Sequence, residues 1–198
     1  MKVVLSLIFS LFLLGCSRTV PPKVEYKINS HGAKSIVSSK SCSDETLRVV
    51  QAFTPKYLMT TDMNYVLGKN EQYIYTQSKW VETPATIITD ELQKVLRESK
   101  IFKQVTSFKS RGKYTFVLET NVEDFMQYYS QDETKSFVKV IISLSMIDAK
   151  TDETMTSQRF QSRKSVQELN AKGGVIALQK AFNEVLNKSV LFVQKSCQ

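Results

Sequence analysis

Between Phe137 and Asp148 every second position from Val138 is apolar: Val138, Val140, Ile142, Leu144 and Met146 share one face. Alternation of this kind marks a strand with one face against a core, so FVKVIISLSMID (137–148) reads as a half-buried strand. Before it, YTFVLETNVEDF (114–125) places Tyr114, Phe116, Leu118 and Val122 on one side. After the turn Ala149-Lys150-Thr151-Asp152, TMTSQRFQSRKSV is polar enough for an exposed strand. Three successive strands with short connections predict an antiparallel meander. Upstream, VEYKI (24–28) predicts a short edge strand, and LRVVQAF (47–53) a buried strand that stops at Thr54-Pro55. MNYVLGKNEQYIYTQ (63–77) wraps two aromatic-rich runs around Gly68-Lys69-Asn70, the pattern of a hairpin. IFKQVTSF (101–108) returns to strand.

Two stretches change period. Thr83-Pro84 supplies an N-cap residue followed by proline at the first helical position. Ile88, Leu92, Val95 and Leu96 then recur at helical spacing, which predicts an amphipathic helix over 84–99. The last segment, expected to open after Gly173-Gly174, carries Val175, Leu178, Phe182, Val185, Leu186 and Val193 on one stripe as far as Lys195. The expected fold is therefore α+β: an antiparallel or mixed sheet with two amphipathic helices packed on one face. No internal repeat is visible, and residues 24–198 are expected to form one domain.

The first sixteen residues, MKVVLSLIFSLFLLGC, combine a positive start at Lys2 with an apolar run from Val3 to Leu14 that is too short to span a bilayer. Residues 1–15 read as a signal peptide. Leu13-Leu14-Gly15-Cys16 resembles the lipobox of bacterial lipoproteins, which implies cleavage before Cys16 and acylation of that residue. Several acyl chains make such an anchor effectively permanent. Ser17 stands where many inner-membrane-retained lipoproteins have Asp, so the resemblance implies the outer membrane, facing the periplasm. Residues 16–23, with Pro21-Pro22, form a lipidated tether. With Cys16 acylated, Cys42 and Cys197 remain as an even pair in an oxidising compartment and are expected to bridge the start of the fold to its end.

Hydrophobic content of 42% and charged content of 23% are ordinary for a globular domain. The formal net charge is +8. A secreted lipoprotein does not meet nucleic acid, so anionic lipid or an acidic protein is the sensible partner for this charge. The densest basic run is Lys100, Lys103, Lys109, Arg111 and Lys113, which as a solvated loop and strand edge needs no partner. The only histidine is His31, in the polar stretch 29–41, and no Cys/His cluster or phosphate-binding glycine loop occurs. No metal and no cofactor are expected. Glu82, Asp90 and Glu91 near Trp80 could suggest a catalytic corner, but acids flanking a helix start are favoured by the helix dipole alone. The chain is expected not to be an enzyme.

PKYLMTTDMNYVLGKNEQYIYTQSKWVETPATIITDELQKVLRESKIFKQV resembles the ABC-type transport auxiliary lipoprotein family, the lipoprotein subunits of Pqi-like and other MCE lipid-transport systems. The matching motifs are Pro55-Lys56-Tyr57-Leu58, the hairpin Tyr73-Ile74-Tyr75, the corner Trp80-Val81-Glu82-Thr83-Pro84, and Phe102-Lys103-Gln104-Val105. The sequence departs from the family pattern at Met59, where an acid is common, at Lys79, where arginine is usual, and in the Ser/Lys-rich stretch before Cys42. The resemblance implies a non-catalytic periplasmic subunit that docks or stabilises an MCE-domain protein and its permease/ATPase complex. It is also compatible with self-association into a ring. The competing expectation is an outer-membrane assembly or structural lipoprotein, lipopolysaccharide-assembly-like or cell-wall-binding.

Overall fold

The computed structural model describes residues 22–30 and 42–197. The signal segment 1–15, the acylation expected at Cys16 and the histidine His31 lie outside these residues. Eight strands and two helices follow in order: β1 (Val24–Tyr26), β2 (Thr46–Val49), β3 (Asp62–Leu67), β4 (Glu71–Trp80), α1 (Pro84–Ser99), β5 (Gln104–Ser107), β6 (Phe116–Tyr129), β7 (Ser136–Asp148), β8 (Thr154–Ser165) and α2 (Ala171–Lys195). A single 3-10 turn, Lys56–Leu58, separates β2 from β3.

The sheet is mixed, and β6 is its spine. One side of β6 pairs along its length with antiparallel β7, which pairs in turn with β8. Its other side is shared end to end by two parallel neighbours, β2 at Phe116–Leu118 and β3 at Gln127–Tyr129. Strand β5 extends the β2 end, while β4 and β1 extend the β3 end. The expected meander is β6-β7-β8, and the expected hairpin is β3-β4, with Gly68 at φ 62° at its turn. There glycine meets no steric penalty from a Cβ.

Both helices cover the same face of the sheet. Leu118 and Val122 of β6, together with Val138, Val140, Ile142, Leu144 and Met146 of β7, are buried there against Ile88, Leu92 and Leu96 of α1 and Leu178, Phe182, Val185 and Leu186 of α2. Helix α1 begins as its sequence predicts: the Thr83 hydroxyl accepts from the Thr86 N–H at 3.2 Å and Pro84 opens the first turn. It ends at Lys100, which adopts a left-handed conformation at φ 55°. Glu184 staples α2 to the edge strand β8. It accepts from Lys164 at 2.5 Å, Lys188 at 2.7 Å and the Ser162 hydroxyl at 2.9 Å. These bonds, Lys164 foremost, hold its carboxyl at about 2.

Three expectations are corrected. The run 47–53 is a regular strand only to Val49. It continues beside β6 through single bonds and an isolated bridge of Phe53 with Asn121, leaving Phe53 exposed. The run 101–108 pairs only over 104–107, because Ile101 and Phe102 turn into the core before the strand begins. Helix α2 starts at Ala171 rather than after the glycine pair: the Asn170 side chain caps it by accepting from the Gly173 N–H at 2.9 Å.

Both glycines of that first turn are forced by close approach. A Cβ on Gly173 would lie 2.0 Å from the Glu168 carbonyl oxygen, and one on Gly174 would lie 1.8 Å from Oε1 of Gln127. Gln127 is buried and fixed by bonds with the Tyr75 and Ser136 hydroxyls at 3.0 Å each, so it has little freedom to retreat. Gly174→Ala is expected to destabilise the domain by about 1–3 kcal/mol through overpacking, read as a lower denaturant midpoint. An unchanged midpoint would show that Gln127 can give way.

Candidate functional site

Two of the family-motif residues, Tyr57 and Trp80, approach one irregularity in β6. Register breaks between Val122 and Asp124, so two residues there oppose one position of β7. A bulge of this kind re-aims the side chains beyond it. Phe125 therefore points to the helices and Asp124 to the open face of the sheet. Trp80 meets Phe125 from the helix side, with ring centroids 6.3 Å apart, and Phe125 meets Phe182 edge-on at 5.6 Å. On the open face, Tyr57 of the 3-10 turn feels the charge of Asp124. Its hydroxyl is pushed up to about 12, first by burial and then by that carboxylate. Leu58 beside it is buried in the core.

Asp124 is the centre of the open-face group. Oδ2 takes the Lys139 ammonium at 2.6 Å and a hydrogen bond from the Tyr128 hydroxyl at 2.6 Å, while buried Oδ1 has no partner among the described residues. Burial raises the carboxyl pKa, opposed by the hydrogen bonds from Lys139 and Tyr128. Burial and the bond to Asp124 raise the Tyr128 hydroxyl. A stacked series runs outward from there. Lys139 lies 4.7 Å over the Tyr128 ring, Tyr128 stacks on Phe137 at 5.1 Å, and Arg163 lies 3.5 Å over Phe137. Beside it, Glu123 accepts from Arg159 at 2.8 and 3.0 Å and from the Ser143 hydroxyl at 2.7 Å. These contacts, Arg159 first, lower its carboxyl pKa. The rings and charges of this group are paired with one another, apart from Oδ1 of Asp124.

The remaining motif residues scatter. Tyr75 sits with Tyr65, Tyr73 and Tyr129 at the hairpin end, its hydroxyl 2.7 Å from that of Tyr129. Burial, then Tyr129, raises its pKa. Phe102 packs edge-on to Phe116. Pro55 precedes the 3-10 turn, and Pro84 starts α1. Glu82, Asp90 and Glu91 do share a groove, of about 270 Å³, with Lys27 and Val81. Trp80 turns away from it into the core. Glu91 is occupied in structure: it accepts from the Ser30 N–H at 2.6 Å and lies 3.8 Å from Lys94. The tryptophan is thus no platform over the acids. Among the described residues no group of three or more His, Cys, Asp or Glu is placed to hold a metal ion. The expected bridge between Cys42 and Cys197 is present.

Asp124, Tyr128 and Lys139 escaped the sequence reading, which ended the strand at Phe125. The signal was present in Glu123-Asp124, two acids interrupting an apolar alternation, where an unbulged strand would bury one of them.

Among curated proteins none is similar in sequence. Solved structures share the fold. A protein of Xanthomonas campestris from the DUF330 family superposes with a TM-score of 0.71 at 11% identity, over 90% of this chain and 95% of the other. A second, an uncharacterized protein, gives 0.64 at 14% identity, over 90% and 100%. The family described as ABC-type transport auxiliary lipoprotein component matches residues 26–188, a span that holds every strand from β2 to β8, helix α1 and most of α2. The chain belongs to the ABC-type transport auxiliary lipoprotein component family.

Proposed function

We propose that this protein is the outer-membrane-anchored, periplasm-facing lipoprotein of an MCE-type lipid-transport system, where it docks or stabilises the MCE protein and performs no catalysis itself. The match of the auxiliary-lipoprotein family to residues 26–188 carries this reading. The Leu13-Leu14-Gly15-Cys16 ending of the apolar leader supports the anchor. The packing of the interior favours docking over carrying lipid. Side chains such as Phe182, Leu186, Ile88 and Leu118, at 0–1% exposure, fill the space between helices and sheet. Acyl chains have no room there.

Crosslinking in intact cells followed by mass spectrometry tests the reading. The expected result is recovery of an MCE-domain protein, with copy-to-copy crosslinks reporting self-association. If no MCE protein is captured, and deletion leaves outer-membrane lipid asymmetry and detergent tolerance unchanged, the transport role is wrong.

A further inference from the structure

The connection from β5 to β6, residues 108–115, crosses parallel β2 on the face away from the helices. Arg48 of β2 fixes this placement. Its neighbours Leu47 and Val49 are buried in the core, so its own side chain points to the open face. There its guanidinium donates to the Ser110 carbonyl at 2.8 Å and the Gly112 carbonyl at 3.0 Å, and it stacks on the Tyr114 ring at 3.5 Å. The Ser110 N–H donates to the Ser107 carbonyl at 3.0 Å, and the Gly112 N–H to the Ser110 hydroxyl at 3.3 Å. The loop is thereby held in one shape. What it displays is uniform in character: Lys109, Arg111 and Lys113 are all exposed, and none belongs to an ion pair among the described residues. Phe108 stands exposed beside them at 41%, with the Lys109 ammonium 5.5 Å from its ring.

We propose that this loop is a membrane-contact site for anionic phospholipid, with Phe108 entering the interface and Lys109, Arg111 and Lys113 meeting the phosphate-bearing headgroups. A solvated basic loop has no use for a clamped backbone or for an exposed aromatic among its charges. An interfacial contact uses both: the fixed shape removes the ordering cost of binding, the ring buries apolar area at the headgroup boundary, and the cations add electrostatic attraction. The site is separate from the acyl anchor expected at Cys16. Edge strand β1, which follows the tether, lies at the opposite end of the same sheet from β5.

The test uses full-length lipidated protein carrying Phe108→Trp, reconstituted on vesicles of phosphatidylcholine with or without phosphatidylglycerol. Trp80 is buried and serves as an internal reference. Emission from position 108 is expected to shift to the blue, and to be quenched by brominated acyl chains, on phosphatidylglycerol vesicles only. Added salt should reverse the effect. Each cation near an anionic surface contributes about fivefold, so adding K109Q, R111Q and K113Q together should weaken the loop contact on the order of 100-fold and return the emission to its solvent value. The anchor holds every variant on both vesicle types, so loss of the signal reports the loop alone. Emission at 108 that stays solvent-like and unquenched on anionic vesicles overturns the proposal. So does a shift produced by soluble polyglutamate but not by phosphatidylglycerol, which would assign the loop to an acidic protein.

Discussion

Trp80→Ala is expected to remove about 3–5 kcal/mol of stability, the cost of excising a large aromatic ring from a close-packed site. The ring is 4% exposed and stands at one end of an aromatic row, Trp80-Phe125-Phe182, that joins β4 to β6 and β6 to α2. The row exists because the β6 bulge turns Phe125 inward, so the cavity would open where sheet and helix are locked together and collapse is hardest. For a domain of this size each kcal/mol moves the midpoint by about 2–4 °C, so a melt of the variant should fall by on the order of 10 °C. Trp80→Phe should recover a large part of that loss. A normal melting curve combined with lost partner binding would instead make Trp80 an interface residue.

Breaking the Cys42–Cys197 bridge is the second large effect. It closes a loop of 155 residues, just ahead of β2 at one end and just past α2 at the other. In the chain-entropy model a loop this long contributes about 3–5 kcal/mol by restricting the unfolded chain. The double variant Cys42→Ser/Cys197→Ser, and the parent protein under reductant, should show the same lowered guanidinium midpoint. Equal midpoints for oxidised and reduced parent would sink the prediction. A free thiol in denatured, periplasm-expressed protein would remove the bridge itself. Cys42 is buried, so little of the effect should come from altered surface.

Much of the fold was legible because its signals are local. The period-two run in β7 and the Thr83-Pro84 start of α1 depend on neighbours within a few residues, and both elements lie where those signals put them. The start of α2 was misread for the opposite reason. Gly173-Gly174 looks like a boundary in isolation, yet the Asn170 cap places the pair inside the first turn, where Glu168 and Gln127 leave no space for a Cβ. Gln127 is distant in sequence, and nothing near the glycines announces it. The candidate site shows the same division. Tyr57 and Trp80 belong to motifs legible in the sequence, but placing Asp124 near Tyr57 requires the register of β6 against β7. The acids 82, 90 and 91 line one groove, while Trp80, their neighbour in sequence, is buried in the core.

The helix and strand periods, the cysteine pairing and the family are legible in the sequence itself, since each rests on residue type at short spacing or on simple arithmetic. Tertiary structure alone decided which face stays open, that Trp80 and Tyr57 approach β6 from opposite sides, and that Arg48 gathers a basic loop onto the uncovered face. Those outcomes depend on strand register, and in β6 on the bulge at Val122–Asp124, where one extra residue exchanges the two faces for the rest of that strand.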